Sequence, residues 1–93
     1  MVKCKNFSFN SMFWIPDYME DGIENYINYG LEPGGFLTAI ICNDLKSAVM
    51  RADGQNIGNI PAYVAYFYNH APIDCWGSYD LMVKWCEKGG LNG

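Results

Sequence analysis

The stretch Pro33-Gly34-Gly35-Phe36-Leu37-Thr38-Ala39-Ile40-Ile41-Cys42-Asn43-Asp44-Leu45-Lys46-Ser47-Ala48-Val49-Met50-Arg51-Ala52-Asp53 decides how this chain is read. Proline suits a first helical turn, where its missing N–H is not needed. Residues 36–42 are apolar nearly all round, as in a helix packed on several sides. Asn43 and Asp44 interrupt that run, and both residue types prefer caps and turns to helix interiors. Two forms are open: a break, with Asn43 or Asp44 capping a second segment, or one helix that carries both side chains through. One long helix, with a kink possible at this point and ending at Asp53-Gly54, is the expected form.

Start and stop signals place the other helices around it. Pro16 opens a first helix to Tyr29, with Asp17, Glu20 and Asp21 at the positive end of its dipole. Met19, Ile23, Tyr26 and Ile27 fall on one face. Gly30 followed by Leu31 predicts a left-handed cap with a hydrophobic contact. After a loop at 54–59, Asn59 or Ile60 caps a helix with Pro61 in its first turn. Ile60, Tyr63, Val64, Phe67 and Tyr68 are its expected buried stripe. Pro72 stops it by pushing Ala71 toward extended geometry. Ser78 caps a last helix that buries Leu81, Met82, Trp85 and Cys86 and ends at Gly89-Gly90.

The fold class is therefore all-α: four or five helices in one compact domain over 16–93, preceded by an extended arm over 1–15. The arm alternates loosely at Phe7 and Phe9, too briefly to define a strand. A lone strand leaves its backbone groups unpaired, so pairing would require a second chain. Apolar residues make up 51% and aromatics 16% of the 93 residues, which argues against disorder. That content suggests more apolar surface than one small core hides. Tyrosines, seven of the fifteen aromatics, could instead sit half-exposed with their hydroxyls in water. A homo-oligomer is the expectation.

The net charge of −4 and the scattered Lys3, Lys5, Lys46, Arg51, Lys84 and Lys88 disfavour direct nucleic-acid binding, which draws on basic clusters. Four cysteines without a Cys-x-x-Cys spacing, and a lone His70, predict reduced thiols and no metal or cofactor. The first residues lack a continuous apolar export segment, and the run 36–42 is too short to span a bilayer. No membrane association is expected.

Two groups of residues could carry function. On a continuous helix Asp44, Ser47 and Arg51 share a stripe bordered by Asn43. Arginine offers a planar fork to phosphate or carboxylate, and aspartate accepts from ribose hydroxyls. The same residues could form an internal polar network, with Asp44 capping and Arg51 paired to Asp53 or Asp44. Asp53 and Asn56 frame the following loop and extend the polar face. Trp76, Tyr66 and Tyr63 could stack on a base or staple a loop to the core. Free N–H groups at Gly34-Gly35 could hold an anion, although no phosphate-loop motif is present. A Cys75–His70 pair lacks an activating setting.

The runs 26–39, Asn43-Asp44-Leu45, Arg51-Ala52-Asp53, Ala71-Pro72 and Cys75-Trp76-Gly77-Ser78 resemble a group of short proteins encoded by tailed bacteriophages and prophages. The likeness covers roughly residues 22–86 and leaves out the arm. It implies a small phage protein acting in the host bacterial cytoplasm, and it supplies no catalytic residue. The leading functional expectation is a non-enzymatic accessory protein that counters a bacterial defence by sequestering a nucleotide-type immune signal. Its alternatives are an inhibitor that binds a host defence protein through an acidic or aromatic surface, as anti-CRISPR proteins do, and a small enzyme.

Overall fold

A computed structural model describes residues 2–93. It is all-α, with α1 (Glu20–Tyr29), α2 (Gly35–Ile41), α3 (Leu45–Arg51), α4 (Ile60–His70) and α5 (Tyr79–Lys88). Short 3-10 turns at Asp17–Met19, Ile57–Asn59, Ile73–Cys75 and Gly90–Asn92 join or extend them. A small antiparallel hairpin, β1 (Ser8–Phe9) with β2 (Phe13–Trp14), precedes α1 and pairs Ser8 with Trp14 and Phe9 with Phe13.

The expected long second helix does not form. Asn43 takes the left-handed region at φ +60° and ends α2. Its N–H donates to the Ile40 carbonyl at 3.1 Å, and that of Asp44 donates to the Ala39 carbonyl at 2.8 Å. This is the Schellman pattern with asparagine in place of the usual glycine. Asp44 then caps α3, its carboxylate accepting from the Ser47 N–H at 3.2 Å. The reason lies in side-chain chemistry: asparagine tolerates positive φ, and an aspartate one residue later satisfies a free N–H of the next helix. The Ile41 carbonyl, freed by the break, accepts from Gly77 N–H at 2.7 Å.

The arm needs no second chain. The N–H groups of Val2, Cys4 and Asn6 donate to side chains of Asn28, Glu24 and Glu20, each at 2.9 Å. Those acceptors are four residues apart on α1, about 6 Å by helical rise. Alternate N–H groups of an extended chain are about 6.6 Å apart. One polar face of α1 therefore serves as a sheet edge for the arm. Three residues, 10–12, connect the strands; the chain turns through Asn10 and Ser11, both at positive φ, and the Met12 N–H donates to the Phe9 carbonyl at 3.2 Å. The premise that this segment lacks a partner in its own chain is thereby removed.

The core is tied together by buried tyrosines. Tyr26, Tyr63 and Tyr66 are essentially inaccessible. Tyr26 donates to the Cys75 carbonyl at 2.6 Å, Tyr66 to the Lys3 carbonyl at 3.0 Å, and Tyr63 to the Asn56 side chain. Each ring brings apolar area worth roughly 1.5–3 kcal/mol and satisfies its hydroxyl across a long sequence separation. Trp85 completes the centre by donating to the Tyr26 carbonyl at 3.0 Å.

The face of α4 is a correction. The buried residues are Ala62, Tyr63, Ala65, Tyr66 and Phe67, while Val64 and Tyr68 are exposed. Leu31, expected to pack behind the Gly30 cap, is also exposed, although Gly30 has the left-handed conformation (φ +68°). The remaining signals at Pro61, Ala71-Pro72, Ser78 and Gly89 stand where the sequence puts them. The last turn, 90–92, closes on the end of α1: a Cβ on Gly90 would lie 2.6 Å from the backbone nitrogens of Tyr29 and Gly30. Among the described residues no helix is long and apolar enough to cross a membrane.

Candidate functional site

The break at Asn43 is what builds a site. On one straight helix Gly35 and Arg51 would stand about 24 Å apart, at 1.5 Å per residue. Instead α3 folds back beside α2, and the Arg51 side chain lies across Gly35. A Cβ built on Gly35 would meet Arg51 Nη1 at 2.9 Å and Cδ at 3.2 Å. Glycine is thus what lets the arginine lie flat over the start of α2.

An open cleft of about 520 Å³ runs from there along both helices. Its α2 wall carries Gly35, Thr38, Ala39 and Cys42, all small and one helical face apart by spacing. Asp44, Ser47 and Arg51 form the opposite wall, with Glu32 and Tyr79 at the rim. The Thr38 hydroxyl donates to the Pro33 carbonyl at 3.2 Å. Asp44 is held below the usual carboxylate range, first by the Ser47 backbone N–H and then by its hydroxyl, so it is ionised at neutral pH. Among the described residues Arg51 forms no ion pair and no hydrogen bond. The alternative sequence reading had Arg51 paired with Asp53 or Asp44; no close pair forms among the described residues, and Arg51 acts on Asp44 only through its charge at longer range. For Asp44 the capping role holds.

The other sequence-derived positions separate. Asn43 does not border this cleft. It stands with Trp76 on a small apolar notch between Ala48, Ile60 and Val64. Trp76 is half-buried and packs on Phe67 at 5.6 Å between ring centroids, so it staples its loop to the core. Asp53 and Asn56 are joined: Asp53 accepts from the N–H groups of Gln55 and Asn56 at 3.0 and 2.7 Å and from the Tyr18 hydroxyl. The Tyr18 hydrogen bond is the main cause of the lowered Asp53 pKa. Both residues line a second cleft, behind Arg51. Sequence reasoning missed Thr38, Cys42 and Tyr79. The run of small residues at 35, 38, 39 and 42 was the available signal for the first two, and Tyr79 comes from a distant helix.

Burial disfavours the thiolate form of all four cysteines. Burial pushes the thiols of Cys4 and Cys75 up to about 12, and burial also raises Cys42 and Cys86. His70 packs against Phe7 and Tyr66 at 5.3 and 5.7 Å. Among the described residues no group of three or more His, Cys, Asp or Glu is placed to hold a metal ion. No protein-family model, no curated protein and no solved structure matches the chain.

Proposed function

We propose that the protein is a non-catalytic binding module that takes a nucleotide-type ligand in the Arg51 cleft and acts by sequestering it. The observation that carries this reading is an arginine that makes no hydrogen bond or close ion pair among the described residues, laid over a glycine at the mouth of a cleft of about 520 Å³. Ligand sites commonly fall between about 300 and 1,000 Å³. The guanidinium supplies a planar fork for a phosphate, and the Asp44 and Glu32 carboxylates accept from sugar hydroxyls. In the setting that the phage resemblance implies, holding a nucleotide signal would blunt a bacterial defence response. A nucleotide panel scored by thermal melting tests it: a ligand at one hundred times its Kd stabilises by about 2.7 kcal/mol. Failure of every nucleotide to raise the melting temperature overturns the reading.

A second reading, a docking surface for a host defence protein, draws on one feature. The exposed stripe Val64 and Tyr68 on α4 adjoins exposed Leu45 of α3 across the notch at Trp76. Recovery of one discrete host protein, lost in Val64→Asp, would favour it.

A further inference from the structure

We infer that the clefts on either side of Gly35 and Arg51 form one bipartite site for a dinucleotide, two nucleosides joined by a single phosphodiester. This rests on the nucleotide reading of Arg51 and goes beyond it by assigning the second cleft. That cleft measures about 340 Å³ and shares Pro33, Gly35 and Arg51 with the first. Arg51 therefore stands at the waist, where its five N–H donors serve both sides.

Charge favours a diester linkage over a terminal phosphate. Arg51 is the chain's one arginine, and the first cleft also holds Glu32 and Asp44. A terminal phosphate group brings about −1.5 to −2 at neutral pH, by analogy with phosphorylated side chains. Beside two carboxylates that is too much for one guanidinium. A phosphodiester carries a single negative charge, so beside Glu32, Asp44 and Asp53 it is repelled less than a terminal phosphate.

The second cleft is built to receive a planar ring. Buried Phe36 and Leu37 and half-exposed Tyr18 are among the residues that line it. The Tyr18 hydroxyl is anchored on Asp53, which steadies the ring for stacking. Asn56 is only 3% exposed. Its side-chain oxygen accepts from Tyr63, but its amide nitrogen donates to no described residue. The concavity that Asn56 lines is the second cleft. A nearly buried amide in the lining of this cleft suits a base that carries a carbonyl or ring-nitrogen acceptor.

Calorimetric titration with a nucleoside monophosphate and with a linear dinucleoside monophosphate of the same base tests the site. The dinucleotide is expected to bind at least tenfold more tightly. Gly34 lines only the second cleft, has extended backbone at φ −69° and ψ 176°, and has nothing within 4 Å of an added Cβ. Gly34→Phe should fill that cleft without strain, abolish the tenfold advantage and leave monophosphate affinity within twofold. Tyr18→Leu should reduce the advantage in the same direction. Equal affinity for the two ligands, or a dinucleotide preference untouched by both variants, overturns the bipartite site. Failure of both ligands to bind would instead overturn the nucleotide reading on which it rests.

Discussion

Substitutions at Asn43 discriminate sharply between the broken helix and a continuous one. In the structure this residue sits at φ +60°. A Cβ in the left-handed region costs roughly 1–2 kcal/mol, a penalty that asparagine partly escapes through local hydrogen bonding. Asn43→Ala should therefore destabilise by about 1 kcal/mol, and Asn43→Val by more because β-branching crowds that region further. Asn43→Gly removes the Cβ but gains freedom when unfolded, so it should stay within about 1 kcal/mol of the parent. The order of stability is then Gly and Asn together, followed by Ala and then Val. Were residues 35–51 one helix, alanine would rank first by up to about 0.7 kcal/mol and glycine last. Urea denaturation reads the difference. With slopes of roughly 1–3 kcal/mol per molar, Asn43→Ala should lower the midpoint by several tenths of a molar, up to about 1 M. A raised midpoint for Asn43→Ala, with glycine least stable, would refute both the break and the cleft that depends on it.

Other outcomes follow from buried groups. Tyr63→Phe strands the side-chain oxygen of the nearly inaccessible Asn56. It should cost about 1–3 kcal/mol in urea unfolding, the range for an unsatisfied buried polar group. Alkaline stability should fall through ionisation of thiols. Cys4 and Cys75 are raised by burial from 9.0 to about 12 in the fold. Their contribution is fully present below about pH 9, because both folded and unfolded thiols are then protonated. It is lost progressively from about pH 9 to about pH 12, as the unfolded chain ionises first. Urea midpoints measured at about pH 7, 9 and 10.5 should be level at first and then drop, and replacing Cys75 by Ala should soften the drop. The same thiols should resist a disulfide reagent at about pH 8 until the protein unfolds.

Much of the fold is legible where local chemistry acts alone. Pro16, Gly30, Pro61, Pro72, Ser78 and Gly89 mark ends because each needs or forbids a particular backbone geometry, whatever packs nearby. Asn43-Asp44 is a local signal too, but the apolar residues on either side of it made one long helix the expected form. The α4 face fails only at Val64 and Tyr68, since Tyr63 and Phe67 are buried and Ile60 packs on the core as expected. Val64 and Tyr68 are as apolar as the buried Tyr66 and Phe67, so periodicity alone cannot choose the face. Alanines 62 and 65 mark the true one, because small residues permit close approach. The arm was opaque because residues 2–6 pair with a row of side chains on α1, and its only strand pairing is a two-residue hairpin ladder within the arm itself. At the site, Asp44, Ser47 and Arg51 do share one cleft, since they lie on one short helix. Asn43 departs because it occupies the hinge. Tyr79 and Tyr18 enter only through tertiary folding.

The binding role of Arg51 can be read directly by nuclear magnetic resonance. As the chain's one arginine, it gives a single side-chain Nε–Hε resonance that needs no assignment by elimination. Titration of isotopically labelled protein with a nucleotide should move that resonance along a saturable curve, with the same midpoint as calorimetry. Arg51→Ala should weaken binding by roughly tenfold or more, as loss of a charge-assisted hydrogen bond of about 1.5–3 kcal/mol implies. An Arg51 resonance that stays still while nucleotides bind, or binding undiminished in Arg51→Ala, would contradict the account.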